Sequence, residues 1–260
     1  MFCRLLATFS STVLVLTIIE SVRAGPYSRD VEGYKTEPDH ETGAKVARWI
    51  KEMNINPEEM GNYYEGDIMI SNSTTRNGDR RAQRWINGVI PYKMTGSFTQ
   101  DQINNIYRAM NDFHSKAGIR FVQRTNQYDH IDIRNDNSGC WSYVGRQGGR
   151  QQVNLQTPGC TYYVGVPVHE LNHAVGFWHE QSRDDRDWYV DIVWNNIPKD
   201  KQHNFNKYTS DQINSFNVVY DYASVMHYSA NAFAINPNQK TIITKVSNQY
   251  FYKCSINVTS

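Results

Sequence analysis

Residues 169–180 read HELNHAVGFWHE, which gathers three of the chain's eight histidines and two glutamates within twelve positions. On a helix, His169 and His173 lie about 40° apart around the axis, so both imidazoles project from one place. Gly176 permits the chain to leave the helix, and His179 can then swing back toward the same point. Three neutral imidazole nitrogens leave open positions on a tetrahedral Zn²⁺, the pattern of a catalytic site more than of a closed structural one. Glu170 directly follows the first histidine, where a carboxylate can polarise a water held by the metal and take its proton. At this chain's composition, HExxH alone arises by chance in about one chain in a hundred. Adding the glycine and the third histidine brings that to roughly one in fifty thousand. The other histidines, His40, His114, His130, His203 and His227, lack such company and read as ordinary polar residues.

These side chains need a scaffold, and the pattern around them predicts one. Pro167 suits the first turn of a helix, and Val168, Leu171 and Val175 follow at the spacing of a core stripe. Upstream, VIPYKM (89–94) reads as a strand. Thr99 and Gln102 form a capping box opening a helix whose Ile103, Ile106, Tyr107, Met110 and Phe113 share one face, with Gly118 as its stop. IRFVQ (119–123) and HIDIR (130–134) read as strands, and a Gly148-Gly149 turn separates WSYV from QQVNLQ in a hairpin. Strand, helix, then several strands predicts a mixed α/β layer. Cys140 and Cys160 bracket the hairpin, so a bridge between them would tie its ends together.

The N-terminus predicts where the chain goes. Arg4 precedes an apolar run from Leu5 to Ile19, and Val22-Arg23-Ala24 supplies small or aliphatic residues at the positions a signal peptidase reads. The run is shorter than the roughly 20 apolar residues of a spanning helix, so a cleaved signal over 1–24, secretion to the extracellular space and no membrane span are expected. Loss of Cys3 with the signal leaves Cys140, Cys160 and Cys254, of which an oxidising compartment would pair two. With 27 basic and 26 acidic residues, the net charge of +1 gives no reason to expect nucleic acid as a partner. From Gly25 to Arg76 the chain is polar, with one helical pattern in which Val46, Trp49, Ile50 and Met53 share a face, too little for an independent core. It ends in SNSTTRNGDRRAQR, a basic, protease-accessible linker with a glycosylation sequon at Asn72; a second sequon lies at Asn257.

HELNHAVGFWHEQSRDDRD resembles the long zinc signature of the astacin family of secreted metzincin endopeptidases, including Glu180 after the third histidine and the run Arg183 to Asp187. SVMHY (224–228) is similar to the family's Met-turn, and SGCWSYVG and QQVNLQTPGC match as well, so the resemblance spans about residues 85–245. It implies an α+β fold: a metzincin, zincin-like catalytic domain with a mixed twisted sheet, an active-site helix and a Met-turn. It also implies one Zn²⁺ per catalytic domain on His169, His173 and His179, with Glu170 as the catalytic carboxylate. Met226 becomes an apolar floor, Tyr228 a further zinc ligand that can swing away to hold the oxyanion, and Cys140 to Cys160 the family's bridge. YEGD (64–67) resembles the family's FxGD, with Tyr in place of Phe, which makes Asp67 the ligand that closes the metal in a zymogen. Counting back from Trp85 puts activation by another protease near Arg76-Asn77, after which the new N-terminus folds toward Glu180. The implied organisation is a signal over 1–24, a pro-segment over 25–76 whose few apolar residues give it little hold on the cleft, and a catalytic domain over 77–260 acting on protein or peptide substrates. Two features depart from the family pattern. Gly118 stands where a second bridge usually begins, leaving Cys254 without a partner, and the stretch after Lys245 is short. The alternative is a secreted decoy or binding protein that keeps the zinc fold and has lost turnover.

Overall fold

The structure, a computed structural model, describes residues 33–70, 84–210, 213 and 215–246. The expectations for the signal, Asn72, Arg76, Asn77, Cys254 and Asn257 lie outside those residues. β1 (Val89–Met94) leads into α1, a long helix at Gln100–Lys116, and on through β2 (Arg120–Gln123) and β3 (His130–Arg134). β4 (Cys140–Ser142) and β5 (Arg150–Leu155) follow. They form one five-stranded sheet in the order β2-β1-β3-β5-β4. Its first four strands run parallel, while β4 returns antiparallel on β5 as the hairpin expected from the double glycine. The mixed sheet and its helices make an α+β fold.

Local sequence sets these boundaries. Thr99 accepts from Gln102 N while the Gln102 side chain returns to Thr99 N, the reciprocal cap expected from the sequence, and α1 runs from there to Lys116. Its Ile106, Met110 and Phe113 bury against Ile90, Ile131, Ile133 and Val153 of the sheet, whereas Tyr107, at one side of the expected stripe, stays exposed. Two short helices follow the sheet: α2 (Gly159–Tyr162) and α3 (Gly165–Val175), the latter beginning two residues before Pro167. The whole of Gly165–Ala174 is buried, not one stripe alone, because α3 lies between α1 and the polypeptide that crosses its other face. The bridge between Cys140 and Cys160, with Cα atoms 5.6 Å apart, fastens the edge strand to α2.

A second, smaller core lies beyond α3. Val190, Ile197, Phe205, Tyr220, Tyr222, Tyr228 and Ile242 pack together beside a two-stranded pair, β6 (Val190–Ile192) with β7 (Ile242–Thr244). The two cores hold the space between them open as a cleft.

Residues 33–70 fill that space, and here the structure corrects two expectations. The helix at His40–Ala47, capped by Asp39, stops at Arg48, so Val46 and Trp49 are buried while Ile50 and Met53 are 55% and 41% exposed. The expected four-residue face breaks because the chain passes into a 3-10 turn closed by Asn54 in the left-handed region. The segment's hold is also far from slight. Tyr63, Tyr64, Ile68 and Met69 are buried. The Tyr63 hydroxyl donates to Ser138 O, and Ile68 pairs in parallel with Ser142 on the free edge of β4. Two backbone bonds close that pairing, Met69 N to Ser142 O and Ser142 N to Asp67 O.

Candidate metal centre

α3 carries His169 and His173 one turn apart. Gly176 ends it with φ 131°, a conformation that L side chains rarely adopt, and donates its N–H to the carbonyls of Asn172 and His173. The chain then reverses and delivers His179 to the same point. All three histidines are buried, and the Nε2 of His169 stands 3.1 Å from that of His173 and 3.2 Å from that of His179.

The opposite ring nitrogens fix what those Nε2 atoms can do. His169 Nδ1 donates to Val225 O at 2.7 Å and His173 Nδ1 to Phe177 O at 2.7 Å. A nitrogen facing a carbonyl must carry the proton, so in the neutral ring the lone pair is left on Nε2. His179 Nδ1 faces the Glu65 carboxylate at 2.7 Å. Lone pairs crowded this closely repel unless a cation sits between them. Nitrogens at about 2.0–2.1 Å from a tetrahedral Zn²⁺ would stand about 3.3 Å apart, which agrees with the spacing here.

Asp67 closes the set. Its carboxylate, 1% exposed, lies 2.9 Å from His169 Nε2 and 3.4 Å from the Nε2 of both His173 and His179. Burial pushes its carboxyl up, but the facing imidazoles of His179, His173 and His169 outweigh that and hold it well below the usual range. Burial pushes His173 down to about 4, keeping it in the neutral form a metal requires. Asp67, His169, His173 and His179 thus form a group able to hold one metal ion, with Asp67 Oδ1 lacking a hydrogen-bond partner among the described residues.

Glu170 is 0% exposed, and neither carboxylate oxygen has a hydrogen-bond partner among the described residues. Burial, then the charges of Asp67 and Glu58, push its carboxyl well up. The turn at residues 224–228 supports the histidines from below. Val225 O holds His169, Met226 O accepts from Glu180 N, and the Met226 side chain is buried in the main core. The Tyr228 hydroxyl donates to Glu65 O at 2.6 Å. Glu180 accepts from Arg183 Nη1 and Asp221 N, both at 3.0 Å, and burial pushes its carboxyl up to about 7.

Sequence reasoning passed over three acids. Glu59 accepts from Ser229 N and Ser229 Oγ, both at 2.6 Å; Glu65 reaches His179; and Glu58, raised to about 7 chiefly by burial, lies near Glu170. Four carboxylates within ten positions, 58 to 67, in a segment that also carries Tyr63 and Tyr64, were the available signal. His227, read as an ordinary polar residue, is buried and structural, with Nε2 2.5 Å from the Tyr220 hydroxyl. His114 is likewise structural, accepting from Phe121 N.

The family described as Astacin, a peptidase family, matches residues 77–255. The chain belongs to the astacin family. It is 41% identical over 200 residues to zinc metalloproteinase nas-4 of Caenorhabditis elegans, covering 72% of this chain and 62% of that protein. Over 147 residues it is 47% identical to high choriolytic enzyme 2 of Oryzias latipes, covering 56% of this chain and 51% of the relative. The solved structure of high choriolytic enzyme 1, a hatching enzyme zinc-protease from Oryzias latipes, matches with a TM-score of 0.61 at 39% identity, covering 72% of this chain and 91% of that one. This astacin-family chain spans about half to three-fifths of the length of those curated relatives. Among its described residues no helix is long and apolar enough to cross a membrane.

Proposed function

We propose that the chain is a secreted, zinc-dependent endopeptidase made as a latent precursor, with a signal over 1–24, a pro-segment over 25–76 and a catalytic domain from 77 onward. The observation that carries this reading is the convergence of three imidazole Nε2 atoms, with the buried Glu170 carboxylate, which has no hydrogen-bond partner among the described residues, next in sequence to the first of them. His169, His173 and His179 would hold Zn²⁺, with Asp67 as a fourth ligand in the precursor. Bound there, the ion supplies Lewis acidity that polarises a scissile carbonyl and lowers the pKa of water.

The chain's own residues do the rest. Glu170 takes the proton of the attacking water and later passes it to the leaving amine. Tyr228 must first leave Glu65 O, after which its hydroxyl donates to the oxyanion. Asp67 holds the precursor silent because a tethered carboxylate competes with water at high effective concentration. An activating protease that cuts near Arg76-Asn77 lets the segment leave, and the new N-terminus folds toward Glu180. Proteins and peptides are the substrates, in keeping with a relative that is a zinc metalloproteinase.

Trimming the purified precursor near Arg76 and incubating it with denatured protein tests this. Cleavage that a zinc chelator abolishes and added zinc restores is expected; no cleavage by folded, zinc-loaded, trimmed protein refutes it in favour of a decoy. Glu170→Gln, nearly the same shape but unable to accept the proton, should keep zinc and lose about 10²–10⁴-fold in turnover. Near wild-type turnover would reject the assigned role.

A further inference from the structure

Each of the three histidines is fixed through its Nδ1, but not by the same part of the chain. His169 uses Val225 O and His173 uses Phe177 O, both carbonyls of the body that also carries the histidines. His179 uses Glu65 Oε2, a carboxylate of the segment at 33–70. Glu65 is 0% exposed, and its other oxygen accepts from Ser182 Oγ at 3.0 Å. Its backbone stands at φ 46°, uncommon for a residue with a side chain, and Gly66 follows at φ 84°. That turn lets one short stretch reach both sides of the site. Glu65 lies behind His179 while Asp67, two residues on, meets the three Nε2 atoms in front.

A carboxylate that accepts the Nδ1–H of a metal-binding imidazole fixes the ring and raises its basicity. Loss of such a partner typically weakens metal affinity 10–100-fold. We propose that Glu65 is a positioning residue of the metal site, so that the segment contributes an outer carboxylate as well as the inner one and the uncut chain is the form that retains zinc most strongly. Cutting near Arg76 would then loosen the metal as well as unblock it. The inference rests on His179 being a zinc ligand, as proposed above, and not on turnover.

The test is zinc release. Uncut protein is loaded with Zn²⁺ and mixed with the chromogenic chelator 4-(2-pyridylazo)resorcinol, and release rates are compared for wild type, Glu65→Ala, Glu65→Gln and Glu59→Ala. Glu59 is the matched control: it anchors the same segment through Ser229 N and Oγ. Glu65→Ala should release zinc about 10–100-fold faster than wild type. Glu65→Gln, whose amide oxygen still accepts from Nδ1–H, should recover much of that loss, and Glu59→Ala should stay within about threefold of wild type. Equal acceleration by Glu65→Ala and Glu59→Ala would mean that Glu65 only docks the segment, and no acceleration in Glu65→Ala would mean that it does not tune the metal; either overturns the inference. If Glu65→Ala does not fold, the Co²⁺-loaded Glu65→Gln protein decides. An absorption spectrum shifted from that of Co²⁺-loaded wild type supports Glu65 behind the ligand, and an identical spectrum overturns it. A chain that takes up no zinc sinks this inference and the metal reading together. A chain that holds zinc but cleaves nothing after trimming sinks only the peptidase reading.

Discussion

Replacing Asp67 with Ala in the uncut chain separates two sources of latency, the occupied metal position and the filled cleft. The substitution removes a buried carboxylate that faces three histidines at 2.9–3.4 Å. Removing one partner from a buried charged cluster costs about 3–5 kcal/mol. If that energy holds the segment closed, the open fraction should rise about 100- to 4,000-fold, since about 1.4 kcal/mol is a factor of ten. The gain stops short of full activity because other anchors remain. Glu59 keeps both bonds to Ser229, Glu65 keeps His179 and Ser182, and residues 67 and 69 keep their backbone bonds to β4. The assay is hydrolysis of a quenched fluorescent peptide by protein shown by mass to be uncut and by metal analysis to be zinc-loaded. A rise of about two to three and a half orders of magnitude over the wild-type precursor, still below the trimmed enzyme, is expected. An Asp67→Ala precursor as silent as wild type would refute the aspartate switch and leave steric blockage as the cause. Activity equal to the trimmed enzyme would show instead that the remaining anchors hold nothing.

His179→Ala removes a ligand, and metal analysis of the purified protein should find zinc content well below wild type; unchanged content would put the third ligand elsewhere. Serine at both Cys140 and Cys160 should lower stability by about 3 kcal/mol, read from the denaturant midpoint of the uncut chain, because the bridge closes a loop of 20 residues. Gly43→Ala would set a Cβ 2.2 Å from Asn137 O, a backbone atom that cannot easily move. It should lift the helix at His40–Ala47 from the 137–139 turn at a cost of about 1–3 kcal/mol, seen as faster limited proteolysis within residues 33–70.

What was legible in the sequence was what short spacing encodes. His169, His173 and His179 fall within eleven positions of one helix and its exit, so helix geometry and one glycine suffice to bring them together. The bridge from Cys140 to Cys160 and the Thr99 cap are equally local. Asp67 was reached through the likeness of YEGD to a family motif, since nothing in a Gly-Asp pair by itself announces a partner 102 residues away. Glu59 and Glu65 were not reached, because their meaning lies in Ser229 and His179, 170 and 114 residues downstream, and acids read alone look like a solvated face. Ile50 and Met53 misled for a related reason. Their spacing is helical, but the helix ends at Ala47, where Trp49 turns inward to give its indole N–H to Ile55 O.

The separation of Asp67 from its histidines also fixes an order in time. A ribosome adding about 5–20 residues per second finishes His169 about 5–20 s after Asp67. The carboxylate that closes the centre therefore exists before any of the nitrogens it will face. As α3 forms and His179 turns back, Glu65 and Asp67 are already tethered upstream, and the last anchor, at Ser229, waits for nearly the whole chain. Under the proposed latency, the acids that would close the site are therefore made before the histidines they face, and cutting the linker would date the start of activity.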